Sequence, residues 1–435
     1  MMPKGRRVLI VTSAYAPAMT ADMHRARHLA WELPSLGWSV EILCPDASYQ
    51  AAHSMDGDSE GFFAPGIVVH EAPQRFSWIA RALRLGGIGW RAFLPMLFAG
   101  LRLLKQSRYD LVFFSTTQVP LFMLGPMWST FRGVPFVLDI QDPLYKEGSA
   151  TPVWSRPSVK HTIAHRLARA AESISVPRAA GMVAVSPAYI ETLRERYGRK
   201  NPAWIAAARN AVIPFPFSLR DLQEAAPDPG SSSNEAGTRT IAYVGAGGSI
   251  MARAFGLLCT VLARLREKEP ELLQGMRIEL RGTMTGWKQG DHRHLFEIAM
   301  EHGVGGLVDE DPLRVSFRRS VELLMNSDGA LVLGIDNAGY MPSKLFTYAG
   351  SRKPILAVVH RESPAYMEFS KHPELGHAIG FDDTGQQDID EAIAQAESFA
   401  KEVRGRLLFD RESALSENNA ANMSRRHVEL FEACL

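Results

Sequence analysis

The feature that most constrains the fold is a strand–loop–helix–strand pattern at the start of the chain. Residues 7–13 (RVLIVTS) form an apolar run rich in β-branched side chains, typical of a strand buried on both faces of a parallel sheet. A helical pattern follows, and Pro34 predicts its early end. Residues 39–44 (SVEILC) predict the next strand. Together these segments predict a right-handed βαβ unit.

The same pattern continues and then starts again in the second half. Residues 225–239 (AAPDPGSSSNEAGTR) have the composition of a linker. Strands are predicted before it at 111–115, 135–140 and 181–186, and after it at 240–244, 277–280, 329–334 and 355–359. The predicted fold class is therefore α/β, with two doubly wound, Rossmann-like parallel-sheet domains facing a central cleft. We expect a first domain over 1–215, a linker over 216–239, a second domain over 240–410, and a helical segment over 411–435 that packs back towards the first domain.

Composition narrows the class of protein. A chain of 435 residues exceeds what a single core usually supports. Its net charge of +1, from 48 basic and 47 acidic residues, argues against a nucleic-acid binder. Cys44, Cys259 and Cys434 lie too far apart for a metal motif, which favours free thiols. The first apolar run is too short for a signal peptide, and no run of 18 apolar residues predicts a spanning helix, so we expect a cytoplasmic protein.

Two segments of the second half have features of an anion site. Pro342 and Ser343 suit the start of a helix, whose free N–H groups attract anions, and Lys344 adds a full charge. The turn GAGGS, containing Gly245, Gly247 and Gly248, follows a strand and lets a ligand approach the backbone. Arg253 and Arg281 are further cationic candidates for a diphosphate. The alternatives are a capped helix with a solvated lysine, and a tight turn that lacks the dinucleotide spacing.

Polar residues also follow a strand in the first half. Asp139, Gln141 and Asp142 lie at its carboxyl end, where open α/β sheets bind ligands. Asp142 is a candidate to bind an acceptor hydroxyl or take its proton, and Gln141 can hydrogen-bond a hydroxyl without titrating. The alternative for Asp142 is a local turn before Pro143.

Three stretches resemble glycosyltransferase family 4: residues 15–40 (YAPAMTADMHRARHLAWELPSLGWSV), 138–144 (LDIQDPL) and 340–357 (YMPSKLFTYAGSRKPILA). The resemblance implies the GT-B fold, a nucleotide-sugar donor, and transfer with retention of anomeric configuration. It assigns the loop with Thr20 and Arg25 to contacts with a diphosphate or an anionic acceptor; a solvated Arg25 is the alternative. GT-B enzymes generally stabilise the leaving diphosphate without a metal, and no metal or other cofactor is expected. His292 and His294, near Asp291, are interpreted as exposed polar residues.

The sequence departs from the family pattern at the donor site. Ala246 replaces an arginine, while Gly339 and Thr347 occupy the places of two glutamates, the second of which binds the ribose hydroxyls. One interpretation is a donor with 2′-deoxyribose, such as a dTDP-sugar, with Thr347 making a single contact. The other is weakened or lost donor binding, with Asp336 or Asn337 compensating in part. A UDP- or dTDP-sugar is the expected donor.

Residues 75–108 contain seven basic and no acidic residues, interleaved with Trp78, Trp90, Phe93 and Phe98. Such a stretch can lie against anionic lipid, so peripheral contact with the inner face of the cytoplasmic membrane is one interpretation. A core helix with a basic exterior is the other. Pro95 and Gly86-Gly87 predict that the stretch is not one long helix.

The favoured function is a retaining, metal-independent glycosyltransferase that acts on a saccharide, lipid-linked or small-molecule acceptor. Two alternatives remain: a GT-B nucleotide-sugar 2-epimerase, which needs no acceptor, and a catalytically degenerate GT-B partner protein. A nicotinamide dehydrogenase is disfavoured because neither half has the dinucleotide fingerprint.

Overall fold

The computed structural model describes residues 5–50, 55–75, 78, 87–145, 159–226, 237–284, 292–383 and 388–435. The chain divides into two compact units. Unit 1 comprises Met1–Pro214 and Ala420–Leu435, and unit 2 comprises Phe215–Asn419. Residues 216–226, expected as linker, and residues 411–419 belong to unit 2.

Unit 1 is built on a parallel seven-stranded sheet with the order β3-β2-β1-β4-β5-β6-β7. Its strands are β1 Arg6–Val11, β2 Trp38–Pro45, β3 Val68–Ala72, β4 Leu111–Ser115, β5 Phe136–Ile140, β6 Gly181–Ala184 and β7 Asn210–Val212. The central strands β4 and β5 are buried along their whole length. The strand order reverses beside β1 and β4, which makes the carboxyl ends of these two strands a topological switch point.

The helices of unit 1 are α1 His24–Glu32, α2 Ile88–Gln106, α3 Val119–Phe122, α4 Leu124–Arg132, α5 Val159–Ser175, α6 Pro187–Tyr197 and, near the C-terminus, Ala420–Cys434. The break predicted at Pro95 was wrong, because α2 runs through it for 19 residues, whereas the helix begins directly after Gly87, which is its N-cap. Residues 76–77 and 79–86 of the stretch 75–108 lie outside the described residues. A proline removes the hydrogen bond to the carbonyl four residues earlier. That carbonyl, Arg91 O, accepts instead from the Tyr49 hydroxyl at 3.4 Å.

Unit 2 repeats the architecture with a parallel six-stranded sheet of order β10-β9-β8-β11-β12-β13. Its strands are β8 Arg239–Val244, β9 Met276–Arg281, β10 Val308–Asp311, β11 Gly329–Leu333, β12 Ile355–His360 and β13 His377–Phe381. Its helices are α7 Leu219–Glu224, α8 Ala252–Lys268, α9 Pro270–Leu273, α10 His294–Glu301, α11 Phe317–Asn326, α12 Leu345–Gly350, α13 Pro364–Lys371, α14 Ile389–Arg404 and α15 Glu412–Glu417. The helix Ala420–Cys434 of unit 1 is α16. The switch point of this sheet lies beside β8 and β11.

Each sheet is covered by helices, and each unit has its own hydrophobic core. Within the described residues, one helical stretch, Gly248–Lys268, is long and apolar enough to cross a membrane by length and composition alone. Much of it is buried in unit 2, where Phe255, Leu258 and Val261 of α8 join the core with β8 and β9 residues. A core helix of a soluble domain has the same properties.

Candidate functional site

A half-buried lysine lies at the switch point of unit 2. The Nζ of Lys344 donates a hydrogen bond to the carbonyl of Val244, the last residue of β8. Desolvation, together with the positive charge of Arg314, lowers the pKa of Lys344 to about 8. Among the described residues, Lys344 has no carboxylate partner. An uncompensated cation at this point of an open sheet favours an anionic ligand.

The short helix that follows holds Lys344 in place. The hydroxyl of Tyr348 accepts from the backbone N–H of Val244 at 2.9 Å and lies 3.2 Å from its carbonyl oxygen. The expected helix start is shifted, since α12 begins at Leu345 and Lys344 is its N-cap, without a side-chain capping bond. Ser343 therefore does not cap the helix, and Pro342 is buried before it. The positive character of this site comes from the lysine side chain and not from a capped helix end.

The glycine-rich turn after β8 makes room for the lysine. Gly245 has φ +146°, and a Cβ there would lie 2.6 Å from Lys344 Nζ. The backbone N–H groups of Gly245 and Gly247 donate to Arg281 O and Thr283 O, both at 2.9 Å. Gly248 has a left-handed φ of +62°. The first amides of this turn thus bind the neighbouring loop.

The two predicted arginines of unit 2 are already engaged by acceptors. Arg253 donates to Asp336 Oδ1 at 2.7 Å and to the carbonyl of Asp382. Arg281 donates to Asp309 Oδ2 at 2.6 Å and to its carbonyl at 2.8 Å. Neither side chain is brought to Lys344 as an uncompensated second cation.

The residues proposed to contact the ribose take different positions. Thr347 is half-buried on α12, three residues after Lys344. Asp336 forms the ion pair with Arg253, and Asn337 Oδ1 accepts from the N–H of Gly339 at 2.8 Å. Asp336 and Asn337 thus serve to shape the loop after β11.

In unit 1, the predicted catalytic Asp139 is fully buried at the end of β5. Arg25, also fully buried, donates from Nε to Asp139 Oδ2 at 2.8 Å and from its second nitrogen to Ile213 O at 2.7 Å. Burial raises the pKa of Asp139 although Arg25, Gln141 and Ser115 favour its charged form. The prediction that Arg25 meets a phosphate is therefore corrected, since its charge is used inside the domain.

Gln141 belongs to the same buried network. Its amide nitrogen donates to Asp139 Oδ2 at 2.7 Å, to Ser115 Oγ at 3.1 Å and to Asp22 O at 3.1 Å. Of the three predicted catalytic residues, only Asp142 is exposed, at the carboxyl edge of the sheet. It is the one that a substrate can reach directly.

The residue that the sequence did not single out is Asp22. Its carboxylate is buried and accepts from the hydroxyls of Ser13, Thr20 and Thr116, at 2.6 Å for Thr20 and 3.3 Å for Thr116. Thr20 therefore turns towards Asp22. This carboxylate ties the loop after β1 to the loop after β4 at the switch point of unit 1. The serine and threonine residues in the loops after β1 and β4 were the sequence signal that could have identified Asp22.

Tyr145 supports the loop that carries Asp142. The Arg196 guanidinium lies 4.0 Å from the centre of the Tyr145 ring and donates to both oxygens of the buried Glu172 at 3.1 Å. The Tyr197 hydroxyl completes this cluster, donating to Glu172 at 2.9 Å. The loop thereby gains a fixed contact with α5 and α6.

No group of three or more metal-ligating side chains occurs in the part of the chain that the structure describes. His292 binds Glu297 at 2.7 Å, and Asp291 lies outside the described residues.

Two doubly wound parallel-sheet units, each with polar groups at its switch point, define a protein of the GT-B fold. Residues 24–216 match the family described as "Glycosyl transferase 4-like domain". The match covers fewer than half of the 435 residues, so it shows that this part of the chain is similar to glycosyltransferase family 4. No curated protein matches it by sequence.

Solved structures with this fold include HepE of Anabaena in complex with UDP and glucose, at 13% identity and a TM-score of 0.60, covering 98% of this chain and 100% of HepE. The lipopolysaccharide outer core galactosyltransferase WaaB has 14% identity and a TM-score of 0.53, covering 99% and 100%. The UDP-GlcNAc 2-epimerase of Methanocaldococcus jannaschii has 10% identity and a TM-score of 0.52, covering 98% and 99%. At these identities the likeness shows the fold alone.

Proposed function

We propose that the protein is a retaining, metal-independent glycosyltransferase that moves a sugar from a nucleotide-sugar donor onto a saccharide, lipid-linked or small-molecule acceptor. The matched domain and the fold support the reaction class. The proposal includes glycan biosynthesis in the cytoplasm, at or near the inner face of the membrane, without a cofactor or nucleic-acid partner.

The observation that carries the proposal is the uncompensated Lys344 at the switch point of unit 2. A donor diphosphate bound there would supply the negative charge that the lysine lacks. The same cation would stabilise the charge that develops on the leaving nucleoside diphosphate. This role needs only a positive charge that is held in one position. The hydrogen bonds that Lys344 and Tyr348 donate to the carbonyl of Val244 hold the lysine there.

The donor is proposed to be a UDP- or dTDP-sugar. HepE was solved with UDP, which favours UDP for a protein of similar fold. Thr347 in place of a glutamate favours a donor that makes fewer demands at the ribose, as a dTDP-sugar does. Asp142 is the proposed contact for the acceptor hydroxyl, because it is exposed while Asp139 and Gln141 are buried.

Donor binding is tested by thermal unfolding with UDP, dTDP, GDP and ADP and their sugar conjugates. A ligand of the folded state at a hundredfold excess over its Kd adds ~2.7 kcal/mol of stability. We expect a shift with UDP or dTDP forms that Lys344→Ala abolishes. Lys371→Ala is the matched control, since Lys371 is exposed and pairs with Glu417. No shift with any nucleotide would favour a degenerate GT-B protein.

The 2-epimerase is the second candidate, because an epimerase is among the proteins of similar fold. It would convert or hydrolyse the donor with no acceptor present. Incubating the protein with the donor it binds, with and without saccharide and lipid-linked acceptors, separates the two. Acceptor-dependent release of the nucleoside diphosphate supports transfer, and loss of this transfer in Asp142→Asn supports the acceptor contact. Acceptor-independent change of the sugar would sink the transferase proposal.

A further inference from the structure

The segment after β5 places an exposed carboxylate between two buried residues. Gln141 is buried and belongs to the hydrogen-bonded network around Asp139. Tyr145 is buried at the other end of the segment, and Asp142 between them is exposed. Pro143 has one fixed backbone torsion and also restricts the backbone of the residue before it, Asp142. The position of Asp142 therefore depends on how firmly Gln141 and Tyr145 are held.

Arg196, in the last turn of α6, holds Tyr145 with the face of its guanidinium group. Its Cζ lies over the Tyr145 ring, 4.0 Å from the ring centre. One nitrogen of the same group donates to both carboxylate oxygens of Glu172, at 3.1 Å each. A planar guanidinium can stack on a ring while its N–H groups bind a carboxylate, whereas the ammonium group of a lysine has no flat face to stack. Arg196 thus connects Tyr145 to Glu172.

The contacts on α5 fix this arrangement. The Glu172 side chain is fully buried, and the Tyr197 hydroxyl donates to it at 2.9 Å. The ring of His165, also on α5, packs edge to face against Tyr145 with the ring centres 5.2 Å apart. A buried ion pair is weak evidence for stability, because apolar side chains often serve as well at such a place. Its charges are better explained by the need to hold the Tyr145 ring in one position.

We propose that Arg196 is a positioning residue, which fixes Asp142 through Tyr145 and so sets the affinity for the acceptor. A side chain that contacts a substrate is held in its productive geometry by the residues packed around it, and a displacement of about 1 Å can cost about 100-fold in rate. The inference rests on the proposed function, in which Asp142 contacts the acceptor hydroxyl. Because the donor is proposed to bind unit 2, donor binding should not depend on Arg196.

The first measurement requires no ligand. Amide hydrogen exchange of the full chain is compared between the wild type and Arg196→Lys, which can keep the ion pair with Glu172 but loses the stack on Tyr145. We expect faster exchange at residues 142–145 and little change in β4.

Arg7→Lys is the matched control. Arg7 also pairs with a carboxylate, that of Glu41, and its Cζ lies over the ring of Tyr109, 5.0 Å from the ring centre. It lies in the same unit but near the amino end of β1. The same substitution there should leave the exchange of residues 142–145 as in the wild type.

Transfer kinetics test the consequence for the acceptor. With the nucleotide sugar that the wild type binds, and with octyl glucoside and octyl galactoside as acceptors, Arg196→Lys should raise the acceptor KM about tenfold. The donor KM and the nucleotide-induced thermal shift should stay unchanged. Tyr145→Phe keeps the ring and should behave like the wild type, whereas Tyr145→Leu should reproduce the effect of Arg196→Lys.

Unchanged exchange at residues 142–145 in Arg196→Lys, or an unchanged acceptor KM, would overturn the inference. A rise in both KM values, or a lost thermal shift, would assign the cluster a purely structural role and overturn it as well. If the wild type transfers sugar to no acceptor, the proposed function fails, and the exchange result alone then decides whether Arg196 positions Asp142.

Discussion

At the scale of single residues, the charge of Lys344 destabilises the folded protein and is the charge proposed to bind the donor diphosphate. Its pKa of about 8 lies below the ordinary 10.5 because partial desolvation and the charge of Arg314 disfavour the protonated form in the folded protein. The destabilisation is therefore fully present below pH 8 and is relieved as the pH rises towards 10.5, where the unfolded chain loses the same proton. A functional charge kept at this cost is typical of binding sites.

Lys344→Met should therefore be more stable than the wild type at pH 7 while failing to bind nucleotide. The expected gain is on the order of 1–2 kcal/mol, allowing for the lost hydrogen bond to Val244. Urea unfolding at pH 7 and pH 10 measures it, and the gain should shrink at the higher pH. Lys371→Met, at an exposed ion pair, should show no gain. A less stable Lys344→Met at pH 7 would contradict this account.

The Arg25–Asp139 pair should be among the most sensitive sites of unit 1. Both side chains are fully buried, so removing one leaves the other as an uncompensated charge, which costs about 3–5 kcal/mol. We expect this loss in Arg25→Met and in Asp139→Leu, and a smaller loss than their sum in Arg25→Met/Asp139→Leu. The free energies of unfolding of the wild type and the three variants, measured with urea, give the double-mutant cycle. The exposed pair Arg264–Glu267, at 3.4 Å, is the control and should lose under about 1 kcal/mol.

This pair also shows the limit of sequence reasoning at the residue scale. Asp139 and Arg25 lie 114 positions apart, and each alone resembles a candidate for chemistry at a sheet edge. Only the packing of α1 against β5 reveals that they neutralise each other. Lys344 and Asp142 could be chosen from local motifs because their surroundings are short loops that follow strands.

At the scale of elements, the sequence predicted the buried strands well and the edge strands poorly. The runs at 111–115 and 355–359 coincide closely with β4 and β12, because central parallel strands are continuously apolar. The strands β3, β7, β10 and β13 were not predicted. They are edge strands or lie close to an edge, and the segments VVHEA, NAV and VDED carry polar residues or are too short for a pattern. Helix α2 was missed as a continuous element because a tertiary contact from Tyr49 compensates for Pro95.

One contact between elements should make stability depend on pH. His377, the first residue of β13, binds Gln395 and Glu402 of α14, each at 3.0 Å. Burial lowers its pKa, but the hydrogen bond and charge of Glu402, with Gln395, outweigh burial and leave the pKa raised. The stabilisation is therefore complete below about pH 6.5 and is lost as the pH rises through the raised pKa of the folded protein.

His377→Gln should accordingly cost roughly 1 kcal/mol at pH 6 and less at pH 9. Urea unfolding of both proteins at the two pH values measures the difference. His292→Gln is the control, because the His292 side chain is 87% exposed, and its effect should be small at both pH values. A cost for His377→Gln that grows with pH would contradict the assignment.

At the scale of the whole molecule, the chain contains two cores, and its last helix belongs to the first of them. Phe431 of α16 is fully buried, with ring centres 5.5 Å from Trp38 of β2 and 5.2 Å from Phe113 of β4. Phe399 of α14 is the corresponding buried ring in unit 2, within the core around β8 and β11. Packing defects at these two positions should therefore affect different units.

Phe431→Ala should lower the free energy of unfolding of unit 1 by about 3–5 kcal/mol, because it leaves a cavity among aromatic rings. Amide hydrogen exchange, resolved by segment, should show faster exchange in β1, β2 and β4 and little change in β8, β9 and β11. Phe399→Ala should show the reverse. If unit 2 holds the donor, the nucleotide that binds should slow exchange in unit 2 of the Phe431→Ala protein, with unit 1 still weakened. Equal acceleration in both units by either substitution would mean that they open as one cooperative body, and the separation into two cores would then have no energetic meaning.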